Sequence, residues 1–500
     1  MSSKPDRSDE GSEEGGRSAV SRPSVSRRGL LAGGAAVLGG AAAASLAGAV
    51  GAQAAGLPRT TAAPGRLLAG RVTQLRTSAV PTLPWPAANA IVASTKLPAF
   101  PTATFPVTSY GAVGNGTTDN TAAFAKAIAA CNAAGGGHVT VPAGTYLTGA
   151  IRLLSNVDLN LAGGATLKFS GDATKFPLVL TRYEGIECMN RSPMIYAHGA
   201  SNIALTGSGT LDASGTAPWN VGSDRAYLET LVVKGVPPEQ RIVPSSGHQM
   251  RSTFVEPYAC DTVLIQGVAL HNSRFWQLHP TLSTNVTIDS VTTSATNSNT
   301  DGCDPECCDH VVIQNCTLGA GDDNIAIKSG RDADGRRINT PSQNIVIVGC
   351  HMSGPWGAVS CGSELTGGIR NVYAYKIVAN PTRYALYVKS NTQRGGYATN
   401  INLDSITASN QKGAFAFVTM TYNGQTGSFA PDFGGFSVTN STGHTAPYAF
   451  DVTGLSSDPV HGITASNCTF TNISHGADVM SHVTGIAFSN VTINGKTVTK

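Results

Sequence analysis

Three aspartates in two short segments carry the densest chemistry of this sequence. Asp301 lies in Asn299-Thr300-Asp301-Gly302-Cys303-Asp304, and Asp322 and Asp323 lie in Gly321-Asp322-Asp323-Asn324. Asp301 and Asp322 are 21 residues apart, close to one turn of a β-solenoid, so they are expected on adjacent rungs about 4.8 Å apart. Neighbours in a regular strand point to opposite faces, so Asp322 and Asp323 reach one cleft only if the backbone turns or bulges there. Gly321 is expected to supply that freedom. Three carboxylates so close cannot all ionise; one keeps its proton and serves as an acid while the others stay anionic. Glycosidic hydrolysis needs that division.

Such a cluster must be placed by a repeating element, and the sequence has one. From about residue 136 a turn residue precedes a short apolar run again and again: Asn156-Val157, Asn202-Ile203, Thr262-Val263, Asn285-Val286, His310-Val311, Asn344-Ile345, Asn371-Val372 and Asn400-Ile401. Gly462-Ile463 and Gly485-Ile486 continue it. Away from large insertions the starts fall roughly 23 to 35 residues apart, the span of a β-helix coil with variable loops. A sandwich of short strands does not predict a recurring Asn-apolar start. The expected fold is all-β, a right-handed parallel β-helix over residues 105–500. One helix is expected, from Thr121 to about Asn132 behind Asp119 or Asn120, covering the open end of the first coil. Residues 55–104, rich in Pro and Ala, read as a lead-in without sustained periodicity. Long loops between 206 and 261 would favour attack from a chain end if they wall off the cleft.

Residues 1–54 read as a targeting segment, with Ser26-Arg27-Arg28-Gly29-Leu30-Leu31 before a Gly/Ala-rich run and Ala52-Gln53-Ala54 as a cleavage site. It is similar to a twin-arginine signal, so a secreted, extracellular monomer with no membrane segment after processing is expected. Only 13% of residues are charged and the net charge is +3, too mild for nucleic acid. An anionic substrate must therefore meet local cations. Ten cysteines are present, and an oxidising destination permits disulfides. Cys303, Cys307 and Cys308 lack the second ligand pair of a zinc site, so interior packing or a disulfide is expected and no metal.

The two aspartate motifs, with Ser109-Tyr110-Gly111-Ala112, Pro142-Ala143-Gly144-Thr145-Tyr146, Arg182-Tyr183-Glu184-Gly185 and Gly362-Ser363-Glu364, resemble glycoside hydrolase family twenty-eight, the polygalacturonases, over about residues 83 to 500. The resemblance implies an inverting hydrolase of galacturonic-acid-containing pectin. Asp322 would protonate the leaving oxygen, and Asp301 and Asp323 would hold and deprotonate the attacking water, without metal or cofactor.

Two departures from that pattern bear on the substrate. Trp356, in Pro355-Trp356-Gly357, stands where the family usually carries histidine, and Tyr387, in Tyr387-Val388-Lys389, stands where it usually carries arginine. Positions 356 and 387 lie 12 and 16 residues after their strand starts, as do 322 and 301 after theirs. All four are therefore expected on one groove-lining strip, with Trp356 and Tyr387 stacking on a sugar face. That substitution brings rhamnogalacturonan forward as a competitor to homogalacturonan. Lys389, Lys328, Asn299 and His279 complete the expected substrate contacts, while Arg331, Arg251 and Arg394 lie in polar stretches within reach. A polysaccharide lyase and an inert carbohydrate-binding solenoid are the alternatives.

Overall fold

In the computed structural model, which describes residues 72–500 except Ser246 and Ala477, the recurring start is a backbone device. Asn156, Asn202, Thr262, Asn285, His310, Asn344, Asn371 and Asn400 all adopt left-handed φ between 53° and 63°, and Gly435, Gly462 and Gly485 take over in the last coils. Asparagine tolerates this region better than most side chains because its short amide bonds locally. Those amides also bond from coil to coil: Asn202 donates to Asn156 at 3.0 Å, Asn371 to Asn344 at 3.0 Å and Asn400 to Asn371 at 2.9 Å.

The residue after each start stacks on its counterpart in the next coil. One parallel ladder runs Val263, Val286, Val311, Ile345, Val372, Ile401, Phe436, Ile463, Ile486. A second parallel sheet stacks Ile325–Ile327, Gly357–Gly362, Tyr384–Lys389, Ala414–Thr419, Tyr448–Thr453 and Val479–Ser481. One apolar cluster extends from Val107 to Ile493 between these faces. The chain is a parallel β-helix. All ten cysteines are free and buried; Cys303 and Cys308 pack in the core, and the Cys307 thiol accepts from Arg182 Nη1 at 3.1 Å.

Four α-helices interrupt this pattern among the described residues, where one was expected: α1 Pro86–Ser94, α2 Thr121–Ala133, α3 Arg225–Val233 and α4 Asp332–Ile338. The expected helix is α2; Asp119 accepts from the Thr121 amide, while the Asn120 side chain turns back to the Val113 backbone. Its Ala123, Phe124, Ala127, Ile128 and Cys131 join the coil interior. Helix α1 lies in the stretch expected to be aperiodic. Pro86 starts it, and Ala88 and Ile91 settle on Val346, Val348 and Tyr373 of the solenoid's outer surface. Beside it the lead-in is pinned through Ser78 to Asp289 and Gln314, through Lys96 to Asn285 and through Ala99 to Asn202. The described part of the lead-in, residues 72–104, is thus held by the coils it crosses. The expected signal at 1–54 lies outside the described residues. No helix among those described is long and apolar enough to cross a membrane.

Candidate active site

The six-stranded sheet decides what faces outward. Ile325, Ile327, Val359, Cys361, Leu386, Val388, Ala416 and Val418 point into the core, so Ala326, Ser360, Tyr387 and Phe417, with Lys328 and Lys389, alternate to the other face. Upstream, Cys303 pairs with Ile325 and Glu306 with Lys328, and Gly302 N donates to Asp323 O at 3.0 Å. This register sets Asp301 beside Asp323, one residue away from the pairing with Asp322 that spacing suggested. Asp322 and Asp323 precede the strand that begins at Ile325, and outside a regular strand both turn to the same side. Gly321 serves differently from expectation. It is absent from the left-handed positions, and a Cβ there would lie 2.1 Å from Asn297 O and 2.6 Å from Thr300 Oγ1. Close packing, not a special φ, requires glycine.

One carboxylate oxygen from each of Asp301, Asp322 and Asp323 lies within 4.8 Å of the other two. Their environments differ. Asp323 Oδ1 accepts from Gly357 N at 2.7 Å and Oδ2 from Lys389 Nζ at 2.9 Å. Asp322, half-buried, accepts from backbone N–H groups, of Asp323 at 3.0 Å and Asn299 at 3.2 Å. Burial first, then Asp301 and Asp323, push its carboxyl up to about 8. Burial also raises Asp301, against the pull of Lys328. Lys328 Nζ lies 3.5 Å from Asp301 Oδ2, 3.5 Å from Asp304 Oδ1 and 3.4 Å from Glu364 Oε2, over the Trp276 ring at 4.5 Å. Asp304 is fully buried, and burial and Asp301 push it well above the carboxylate range. Asp304, buried beside Asp301 and Lys328, is a component that sequence reading passed over, although it sits three residues away in the same motif.

The other expected contacts divide. Lys389 and Lys328 reach the cluster, yet both are buried and committed to its carboxylates. Asn299 acts through its backbone on Asp322, while its side chain accepts from Arg251 Nη2 at 2.7 Å. His279 is not at the surface. It is fully buried, with Nδ1 3.3 Å from Glu256 and Nε2 2.9 Å from Glu306, so its ring cannot meet a substrate. Burial would lower its pKa, but the two glutamates outweigh this and raise it.

Trp356 is half-buried, with the Arg383 guanidinium 4.9 Å from its ring. Tyr387 does not stand in line with Asp301. Gly357 pairs with Tyr384, and Tyr387 pairs with Ser360, itself opposite Ala326. Its ring is 1% exposed, wedged against Tyr384 and Phe417 with the Lys389 ammonium 4.1 Å above it. It offers no open stacking face. Arg331 and Arg394 both turn to Glu364, at 3.2 and 3.6 Å. Burial would raise that glutamate, yet Lys328, Arg331 and Arg394 hold it far below the usual range.

A family model described as glycosyl hydrolases family 28 matches residues 131–495. A probable polygalacturonase of Vitis vinifera is 29% identical over 377 residues, 72% of each chain. The exo-poly-alpha-D-galacturonosidase of Dickeya chrysanthemi is 28% identical over 459 residues, 79% of this chain and 74% of that one. Among solved structures, a hyperthermoactive exopolygalacturonase from Thermotoga maritima superposes with a TM-score of 0.78 at 35% identity, covering 82% of this chain and 96% of its own.

Proposed function

The chain belongs to glycosyl hydrolases family 28 and is a polygalacturonase-like glycoside hydrolase with a pectic polysaccharide as substrate; from that premise we propose that it cleaves galacturonosyl linkages by acid/base chemistry shared among Asp322, Asp301 and Asp323. The observation that carries this reading is the split within the cluster. Asp322 keeps its proton to about pH 8 and can give it to a leaving oxygen, while Asp323 is paired with the Lys389 ammonium at 2.9 Å. Asp301 and Asp323 together would hold and deprotonate the attacking water, inverting the anomeric carbon.

Proton NMR of the anomer first released tests inversion, and release of the retained anomer would overturn it. The substrate is tested by incubating homogalacturonan and rhamnogalacturonan side by side and resolving products by size. Homogalacturonan is expected to be cut, with monomer released from the start. Several relatives are exo-acting by name, and α3, in the long insertion, adds Arg225 to Glu184 and Glu229 to Arg331 beside the site. Rhamnogalacturonan turnover without homogalacturonan turnover would reverse the substrate assignment. A chelator is expected to leave activity intact, and an unsaturated product would mark a lyase. Secretion through the segment around Arg27-Arg28 completes the proposal.

A further inference from the structure

Two cations lie against the reacting carboxylates, and neither is free to meet a substrate. Lys389 is committed to Asp323, and Lys328 is shared by Asp301, Asp304 and Glu364. A substrate made of uronates still carries a negative charge on each ring, so a cation with unspent donors is needed near the cleft.

Arg383 meets that requirement. Its backbone N donates to Trp356 O at 2.8 Å, and the residue after Trp356, Gly357, donates to Asp323 Oδ1 at 2.7 Å. Arg383 is thus two coils from Asp323, roughly 10 Å at the usual strand spacing. Its guanidinium lies 4.9 Å from the Trp356 ring and 5.8 Å from that of Tyr384, and Nε donates to Tyr384 Oη at 3.1 Å. Those contacts anchor the group through Nε and leave both terminal nitrogens without a carboxylate among the described residues. A planar fork anchored beside aromatic rings is suited to bidentate capture of a carboxylate. Phe417, stacked 4.7 Å from Tyr384 at 16°, extends an apolar surface into the following coil for the C–H face of a sugar.

We propose that Arg383 determines specificity by binding the free carboxylate of a uronate unit adjacent to the catalytic aspartates, on the side of the C-terminal coils. The proposal rests on the polygalacturonase reading and deepens it: the charge recognition missing at position 387 is supplied four residues earlier from a different point on the coil.

The test compares wild type, Arg383→Gln and Arg383→Lys on de-esterified polygalacturonate and on heavily methyl-esterified pectin. Arg383→Gln is expected to lower kcat/KM on the de-esterified polymer by about 10- to 100-fold, mainly through KM, with little change on the esterified one. Arg383→Lys should fall between, because it restores charge without the fork. An unchanged preference in an active Arg383→Gln enzyme would overturn the assignment alone, as would an equal loss on both substrates. A wild type inactive on every galacturonan would overturn the polygalacturonase reading and this assignment with it.

Discussion

Lys389 Nζ donates to Asp323 Oδ2 across 2.9 Å, with both side chains buried. Burial alone would lower the lysine's pKa, but Asp323 outweighs it and holds the ammonium charged. The lysine that sequence comparison would assign to substrate is therefore part of the catalytic charge balance. With Lys328 it partly neutralises a cluster that would otherwise repel its own members and an anionic polymer.

The pH profile should report Asp322. An acid must hold its proton, so kcat is expected to fall as pH rises through about 8. The folded-state pKa is raised above the ordinary 3.8, so this group's contribution to stability is fully present below that value and is lost as pH rises through about 8. Asp322→Asn should thus lower turnover by about 10²- to 10⁴-fold yet melt higher than wild type at alkaline pH. Turnover within about tenfold of wild type would remove Asp322 from the acid role.

His279 should behave as a structural group. Its pKa is raised by Glu256 and Glu306, so the stabilisation is complete below pH 6.5 and disappears as pH rises through the raised value. His279→Gln should cost about 3–5 kcal/mol in acid, as for a broken buried pair, and less at high pH, with KM unchanged. Denaturant melts at two pH values and steady-state kinetics decide; a raised KM with unchanged stability would contradict the burial argument.

Tyr387→Arg, which the motif comparison suggests as a gain in charge recognition, should instead damage the protein. Its guanidinium would be buried beside the Lys389 ammonium, 4.1 Å from the present ring, and an unpaired buried charge belongs to the severe tail of substitutions. A fall in Tm without tighter binding of galacturonate oligomers is expected. Tighter binding at unchanged Tm would show that the ring can swing outward.

Position 344 tests the asparagine ladder. Asn344 sits at φ 57°, accepts from Asn371 and donates to Asp309 at 2.7 Å. Asn344→Ala should lose about 1–2 kcal/mol for the left-handed backbone alone, plus the bonds. Asn344→Gly should lose clearly less, as the glycines of the last coils indicate. Equal denaturation midpoints for the two variants would show that conformation is not what selects asparagine.

The sequence by itself determined the repeat, the helix after Asp119 and the grouping of the three aspartates, because each rests on local chemistry: a left-handed turn residue before an apolar run, a cap before an amphipathic stretch, acidic residues about one coil apart. It did not determine α1, whose Ala88 and Ile91 gain their partners only from Val346, Val348 and Tyr373 far along the chain. Nor did it determine register. Cys303 meets Ile325 after 22 residues, Ile325 meets Val359 after 34 and Gly357 meets Tyr384 after 27. Counting from strand starts therefore put Tyr387 in line with Asp301 and hid Arg383. Loops of unequal length carry no information about which side chains stand side by side; hydrogen-bonded pairing between coils does, and that pairing exists only in the folded chain.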